Sequence, residues 1–372
     1  MYFPTTDAEE IVNIVCGMEI RDTDVVLILL GERNMPDVTR MISGLNKNGV
    51  NFFGGMFPGL IYDDKKYEQG AVIKVLPALA SPYLIKGLDT EQIELCQKGS
   101  FPDFISYPNK KYTAMVLVDG LTSNIALFLS ELFDRLGNSV SYFGGGAGSL
   151  TLKQQPCLFT SQGFVQDAAV VTFIKAQCNI GVSHGWKKLV GPIVANKTCK
   201  NVIMELNWKG AFEAYQEIVE ADSGVKLSVE NFYAVAMRYP FGIYKEGAED
   251  IVRDPIMANE KGELICVGEV PEHSLLNILK GETDWLIQAA GKAAKEACGK
   301  EIHCNLVADC ISRTLFLGED FAGELAIVKE NLVVTGSQGI PAGMLTLGEI
   351  SSYGETFLEF FNKTIVIGGC YE

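Results

Sequence analysis

Two stretches of the chain share one plan, and that plan limits the folds open to it. Residues 24–60 run Asp-Val-Val-Leu-Ile-Leu-Leu-Gly, then a helical stretch, then Val-Asn-Phe-Phe-Gly-Gly-Met-Phe-Pro-Gly-Leu. Residues 113–150 run Thr-Ala-Met-Val-Leu-Val-Asp-Gly, a second helical stretch, and Val-Ser-Tyr-Phe-Gly-Gly-Gly-Ala-Gly-Ser-Leu. An unbroken apolar run such as Met115 to Val118 suits a strand covered on both faces. From Leu121, apolar residues at 121, 125, 128, 129, 132, 133 and 136 form a stripe of helical period. Thr122 or Ser123 suits its N-cap, and Gly137 a left-handed stop. Strand, helix and strand of this length predict a parallel pair joined by a crossover. Two copies are too few for a solenoid, so the reading is a duplicated unit within one domain.

The full length of 372 residues exceeds one ordinary core and predicts two domains. A break at Asp222-Ser223-Gly224 ends a helical stretch, Lys209 to Glu220, and places the boundary near 221. The first domain, 1–220, is expected to be α/β, with the repeat 24–60 and 113–150 in a mixed, largely parallel sheet. The second, 221–372, changes style. Phe232 to Met237, Ile251 to Ala258 and Leu264 to Val267 read as strands between turns. Thr283 to Cys298 reads as an amphipathic helix stopped by Gly299. The second domain is therefore expected to be α+β with a mostly antiparallel sheet.

Charge narrows the partners. Asp and Glu total 46 against 31 Lys and Arg, a net −15. A surface of that sign repels phosphate, so neither nucleic acid nor an anionic membrane is expected. No apolar run is long enough to span a bilayer, and no basic start precedes a hydrophobic stretch, so the expected location is cytoplasmic. The ten Cys include no Cys-x-x-Cys pair, and the default there is reduced thiols. With three His in the chain, a His-rich metal site is not expected. No nucleotide-loop signature is complete, so no cofactor is expected either.

Several stretches could carry chemistry. Gly144, Gly145, Gly146, Ala147 and Gly148 follow a strand, and glycines there could aim backbone amides at an anion. His184 and Trp186 flank a glycine and could line a pocket. Cys310 stands three residues before Arg313; a neighbouring guanidinium favours a thiolate, and its fork matches a carboxylate. Arg238 and Arg253 are further anion candidates. Thr346 and Glu349 lie in one short glycine-containing stretch, where the carboxylate could meet a ligand amine or an internal Arg.

In order and spacing these stretches resemble the FIST family of sensory domains (F-box and intracellular signal transduction). The resemblance runs from about residue 24 to 368. It rests on Asp119-Gly120, the Gly145-Gly146-Ala147-Gly148 loop, Gly181-Val-Ser-His184-Gly185-Trp186 and Pro240-Phe241-Gly242. It rests also on Arg253-Asp254-Pro255, Cys310-Ile-Ser-Arg313 and Gly343-Met-Leu-Thr346-Leu-Gly348-Glu349. The first loop, Gly54-Gly55-Met56-Phe57-Pro58-Gly59, departs from the family's Gly-Cys-Ser-x-x-Gly-Glu pattern. The resemblance implies a cytosolic module that senses a small ligand such as an amino acid, and the residues themselves suggest a small polar metabolite at the domain junction. It also implies a signalling protein partner, and a homodimer is compatible with it. On that reading the amides of 144–148 and Arg238, Arg253 or Arg313 hold an anionic group. Glu349 holds a cationic one, and Trp186 walls the site. No catalytic set is complete. The rival reading is a Cys-dependent hydrolase or amidotransferase-like enzyme using Cys310, with His303 or His184 as base.

Overall fold

The computed structural model describes residues 1–90, 101, 102, 104, 112–299, 302–334, 339–352 and 357–371. It is mixed α/β, and the expected unit occurs three times. Unit one comprises β1 (Asp24–Gly31), α1 (Val38–Lys47), β2 (Phe52–Phe57), a hairpin of β3 (Gly59–Tyr62) and β4 (Lys65–Tyr67), and β5 (Ala71–Pro77). Unit two repeats this as β6 (Thr113–Asp119), α2 (Ile125–Leu136), β7 (Ser141–Ala147), β8 (Leu158–Thr160), β9 (Gly163–Val165) and β10 (Ala168–Ile174). Unit three is β11 (Cys304–Cys310), α3 (Ile311–Leu317), α4 (Phe321–Val334), β12 (Pro341–Thr346), β13 (Glu349–Ser352), β14 (Leu358–Phe361) and β15 (Ile365–Tyr371).

Each unit centres a six-stranded sheet with the same order. The two crossover strands pair in parallel. Every other pair is antiparallel, because the remaining connections are hairpins and returns. Parallel pairing is thus confined to one pair per sheet among the described residues. The hairpins are exchanged cyclically. Unit one's joins the sheet of unit three, unit two's joins that of unit one, and unit three's joins that of unit two. A single glycine recurs in every parallel pair. Gly54, Gly144 and Gly343 stand opposite Ile28, Val116 and Val307. A Cβ on them would lie 1.8, 1.7 and 1.7 Å from those residues' carbonyl oxygens. Only glycine permits that approach.

Strand alternation builds the core. Leu27, Leu29, Met115, Leu117, Leu306 and Ala308 turn inward and meet in one central cluster fed by all three sheets. Ile28, Val116 and Val307 turn outward under helices, against Met41 and Leu45, Phe128 and Leu132, and Leu325 and Val328 respectively. Each large apolar side chain so buried stabilises by roughly 1.5–3 kcal/mol.

Between unit two and unit three the chain makes a fourth, wholly antiparallel sheet from strands lying between Lys187 and Lys280. Helix Ala211–Ser223 packs there through Tyr215, and Gly224 closes it in the left-handed conformation. Phe232–Ala236, expected as a strand, is a helix instead. Its buried residues, Phe232 and Ala236, are four apart, so one turn buries both. Cys178 and Cys370 form a disulfide directly across the antiparallel pair Gln177–Ser183 and β15, a departure from the all-thiol expectation.

Candidate ligand-binding site

A cavity of about 590 Å³ opens where units two and three meet the fourth sheet. It lies beyond the carboxyl ends of β6 and β11, the place where α/β sheets commonly accept ligands. Unit two contributes Gly120, Leu121 and Ile125, and unit three contributes Cys310, Ser312, Leu315, Leu347, Phe360 and Asn362. The fourth sheet supplies Arg253, Asp254, Cys266, Gly268 and Glu269.

Several of the cavity's polar groups are neighbours. Arg253 is 6% exposed. Its Nε donates to the Glu269 carbonyl at 2.7 Å, and Nη1 to the carbonyls of Val252 and Phe360 at 3.0 and 3.1 Å. Burial lowers its pKa from the ordinary arginine value, opposed by the charges of Glu359 and Glu269. Asp254 is sealed beside it, 3.2 Å from Lys363 Nζ, and accepts from the Ser312 hydroxyl. Burial raises the Asp254 pKa, while Lys363 opposes the rise.

Cys310 lies on the cavity wall at 2% exposure. Burial pushes its thiol well above the ordinary range, and the Glu349 charge adds to the rise. The groups acting on it are Glu349, Lys363 and Ser312, with no imidazole among them. A protonated thiol without a base is a poor nucleophile.

Glu349 and Thr346 sit behind that wall. Glu349 opens β13, opposite Gly145. Its Oε1 is 2.6 Å from Thr346 Oγ1, and its Oε2 accepts from the Thr364 amide at 3.3 Å. Burial lifts its pKa to about 8, against the hydrogen bonds from Thr346, Thr364 and Cys310. At neutral pH the carboxyl is largely protonated, so it does not supply the negative charge expected for a ligand amine.

The glycine stretch also differs from its expected role. Gly144 to Ala147 belong to β7, not to a loop. Gly146 N donates to the Gly348 carbonyl at 2.7 Å and Gly148 N to that of Met56 at 2.9 Å. Gly144 and Gly145 stand within the ladder between β6 and β13. Amides engaged in this way do not form an anion cradle. The glycines serve close packing: a Cβ on Gly146 would lie 3.0 Å from Gly120 Cα and 3.2 Å from the Phe360 ring. Both neighbours line the cavity.

The other candidates lie apart from it. His184 and Trp186 line a second cavity of about 610 Å³, with Glu249, Trp285 and Lys292. The Trp186 amide donates to His184 Nδ1 at 2.9 Å, and His184 Nε2 is 3.6 Å from the Glu249 carboxylate. Burial lowers the His184 pKa and Glu249 opposes the change. Arg313 is fully buried and lines neither cavity; its Nε donates to Glu324 at 2.9 and 3.0 Å. Its other nitrogens donate to the carbonyls of His184 and Leu286. Arg238 is a part-exposed partner of Glu282, also outside both cavities.

The residues therefore divide. Arg253 and Cys310 face the first cavity, with Gly146, Thr346 and Glu349 just behind it. His184 and Trp186 face the second. Asn362 was not legible as a site residue. Its signal was the polar trio Asn362-Lys363-Thr364 between two apolar strands.

A FIST N domain model matches residues 24–209, and a FIST C domain model matches residues 211–352. The chain belongs to the FIST family. FIST domains are sensory domains of signal transduction, and this chain carries the N and C pair. Comparison with curated proteins returned no match. The first cavity takes residues from both matched ranges and adds Phe360 and Asn362 beyond the second. Among the described residues, no helix is long and apolar enough to cross a membrane.

Proposed function

We propose that this FIST protein senses a small metabolite in the cavity between unit two, unit three and the fourth sheet. The supporting observation is that one hollow collects wall residues from both family-matched segments. A ligand there touches elements far apart in sequence and can bias their relative packing, the state a signalling partner would read. The amino-acid class remains part of this proposal through the carboxylate, for which Arg253 is the partner. Cys310 supports binding-wall chemistry rather than hydrolysis, since its thiol is protonated and no imidazole acts on it. The cytoplasmic setting and a homodimeric state belong to the same proposal, on the strength of the net charge and the family resemblance.

A thermal-shift screen of the full chain against small metabolites tests the reading. A ligand at a hundred times its Kd stabilises by about 2.7 kcal/mol, a shift of a few degrees. Leu315 is 43% exposed at the cavity edge, so Leu315→Trp would fill the hollow from its mouth. A compound that raises the melting temperature of the native chain but not of this variant supports the proposal. Equal shifts in both, or no shift with any compound, refute it.

A further inference from the structure

Two features of the first cavity lack a direct partner. The first is a buried cation. The three acceptors of Arg253 are neutral carbonyls, and no described carboxylate comes within ion-pair distance of it. No described group accepts from Nη2. A buried charge whose nearest carboxylates, Glu359 and Glu269, act only from beyond ion-pair distance costs free energy that the surrounding carbonyls offset only in part. The second is Asn362, which is 1% exposed and lines the same cavity. Neither its Nδ2 nor its Oδ1 has a hydrogen-bond partner. Buried amides are normally paired, so an orphan on a cavity wall points to a group that arrives from outside.

The two are neighbours. A Cβ on Gly268 would lie 3.1 Å from both Arg253 Nε and Asn362 Oδ1, so the glycine leaves room for the two heads side by side. Asp254 is matched by Lys363 and Glu349 is largely neutral, while Glu359 and Glu269 act on Arg253 from beyond ion-pair distance. Lys200 also lines the cavity. The apolar part of the lining is Leu121, Ile125, Ile256, Leu315, Leu347 and the Phe360 ring, with Thr122, Ser123, Lys200 and Asn201 also on the wall.

We infer that the ligand is an organic carboxylate with an apolar body, its head held by Arg253 and Asn362. This rests on the first cavity being the sensory site. One carboxylate oxygen accepts from Arg253 Nη2 and the other from Asn362 Nδ2, which supplies an ion-pair partner in direct contact and occupies the orphan donor. The body lies along the apolar wall. A neutral molecule of the same shape fills the wall and leaves the guanidinium without an ion-pair partner.

Calorimetric titration of the full chain with hexanoate and with hexanamide, its neutral isostere, tests this. Hexanoate is expected to bind at least about tenfold more tightly, as a charge-assisted pair requires. Arg253→Lys should weaken hexanoate by about tenfold or more, because a point charge does not replace the fork. Asn362→Ala should weaken it several-fold. That variant removes no internal hydrogen bond and so separates binding from folding should Arg253→Lys fold poorly. Equal affinity for the two probes, hexanoate binding unchanged in Asn362→Ala, or no hexanoate binding at all would each overturn the inference. In those cases a different compound whose effect Leu315→Trp removes would still uphold the sensory cavity, whereas loss of that sensitivity would bring down both.

Discussion

Glu349→Gln should stabilise the protein increasingly as pH rises. The carboxyl is fully buried and its pKa stands at about 8 against an ordinary 4.5. In the unfolded chain it ionises near the ordinary value. Between those two pH values the native state keeps a proton that the unfolded state has released. Stability therefore falls as pH rises through this window, with no loss below the lower value and a complete loss above the upper one. The difference, 8 − 4.5, is about 3.5 units, and at about 1.4 kcal/mol per unit the full penalty is about 5 kcal/mol. Gln copies the neutral carboxyl. Its amide can donate to Thr346 Oγ1, whose hydroxyl lies 3.3 Å from the Asp309 carbonyl, and its oxygen can accept from the Thr364 amide. Urea unfolding of both proteins at half-unit steps from pH 5 to 9 measures the effect. The other titrating groups largely cancel in the difference between the curves. The expected difference grows with pH toward several kcal/mol in favour of Gln. Parallel curves, or a variant that loses ground as pH rises, would refute the buried neutral carboxyl.

Three further outcomes follow from the packing. Alanine at Gly54, Gly144 or Gly343 forces a Cβ to within 1.8 Å or less of a carbonyl oxygen. Each should cost about 4 kcal/mol or more in urea melts or block folding, whereas Gly323→Ala, exposed in α4 with only an ordinary contact to Ile287, should not destabilise. Arg313→Met strands Glu324 in a sealed interior and should cost about 3–5 kcal/mol, read the same way; Arg313→Met with Glu324→Leu should recover a large part of it. Iodoacetamide at neutral pH, followed by peptide mass spectrometry, should label exposed Cys16 and Cys199 and leave Cys310 unmodified until the chain unfolds.

The sequence showed two of the three units because each carries an unbroken apolar strand, a helical stripe and a tight glycine cluster. The third stayed hidden for two reasons. Its crossover contains two helices, α3 and α4, instead of one, and its glycines are spread from Gly343 to Gly348. The exchanged hairpins had no local signature. The pairs Leu60 with Met344 and Ile350 with Gly144 join positions far apart in the chain. The glycines at 144–148 looked like an anion loop because the same residue type serves both ligand amides and close strand approach. Only the pairing shows the latter. Arg253 was legible through its chemistry. Its lack of a carboxylate within ion-pair distance, which gives it meaning, is a property of the folded surroundings. His184 and Trp186 stood out for the same chemical reason, yet the fold places them on the second cavity.

The central claim is that one ligand touches unit two, unit three and the fourth sheet at once. Hydrogen exchange of the full chain, with and without a stabilising ligand, measures this directly. The account predicts slowed exchange together at 120–126, 252–254 and 310–315, with 183–188 unchanged. Protection confined to 183–188, or to only one of the three segments, would contradict it.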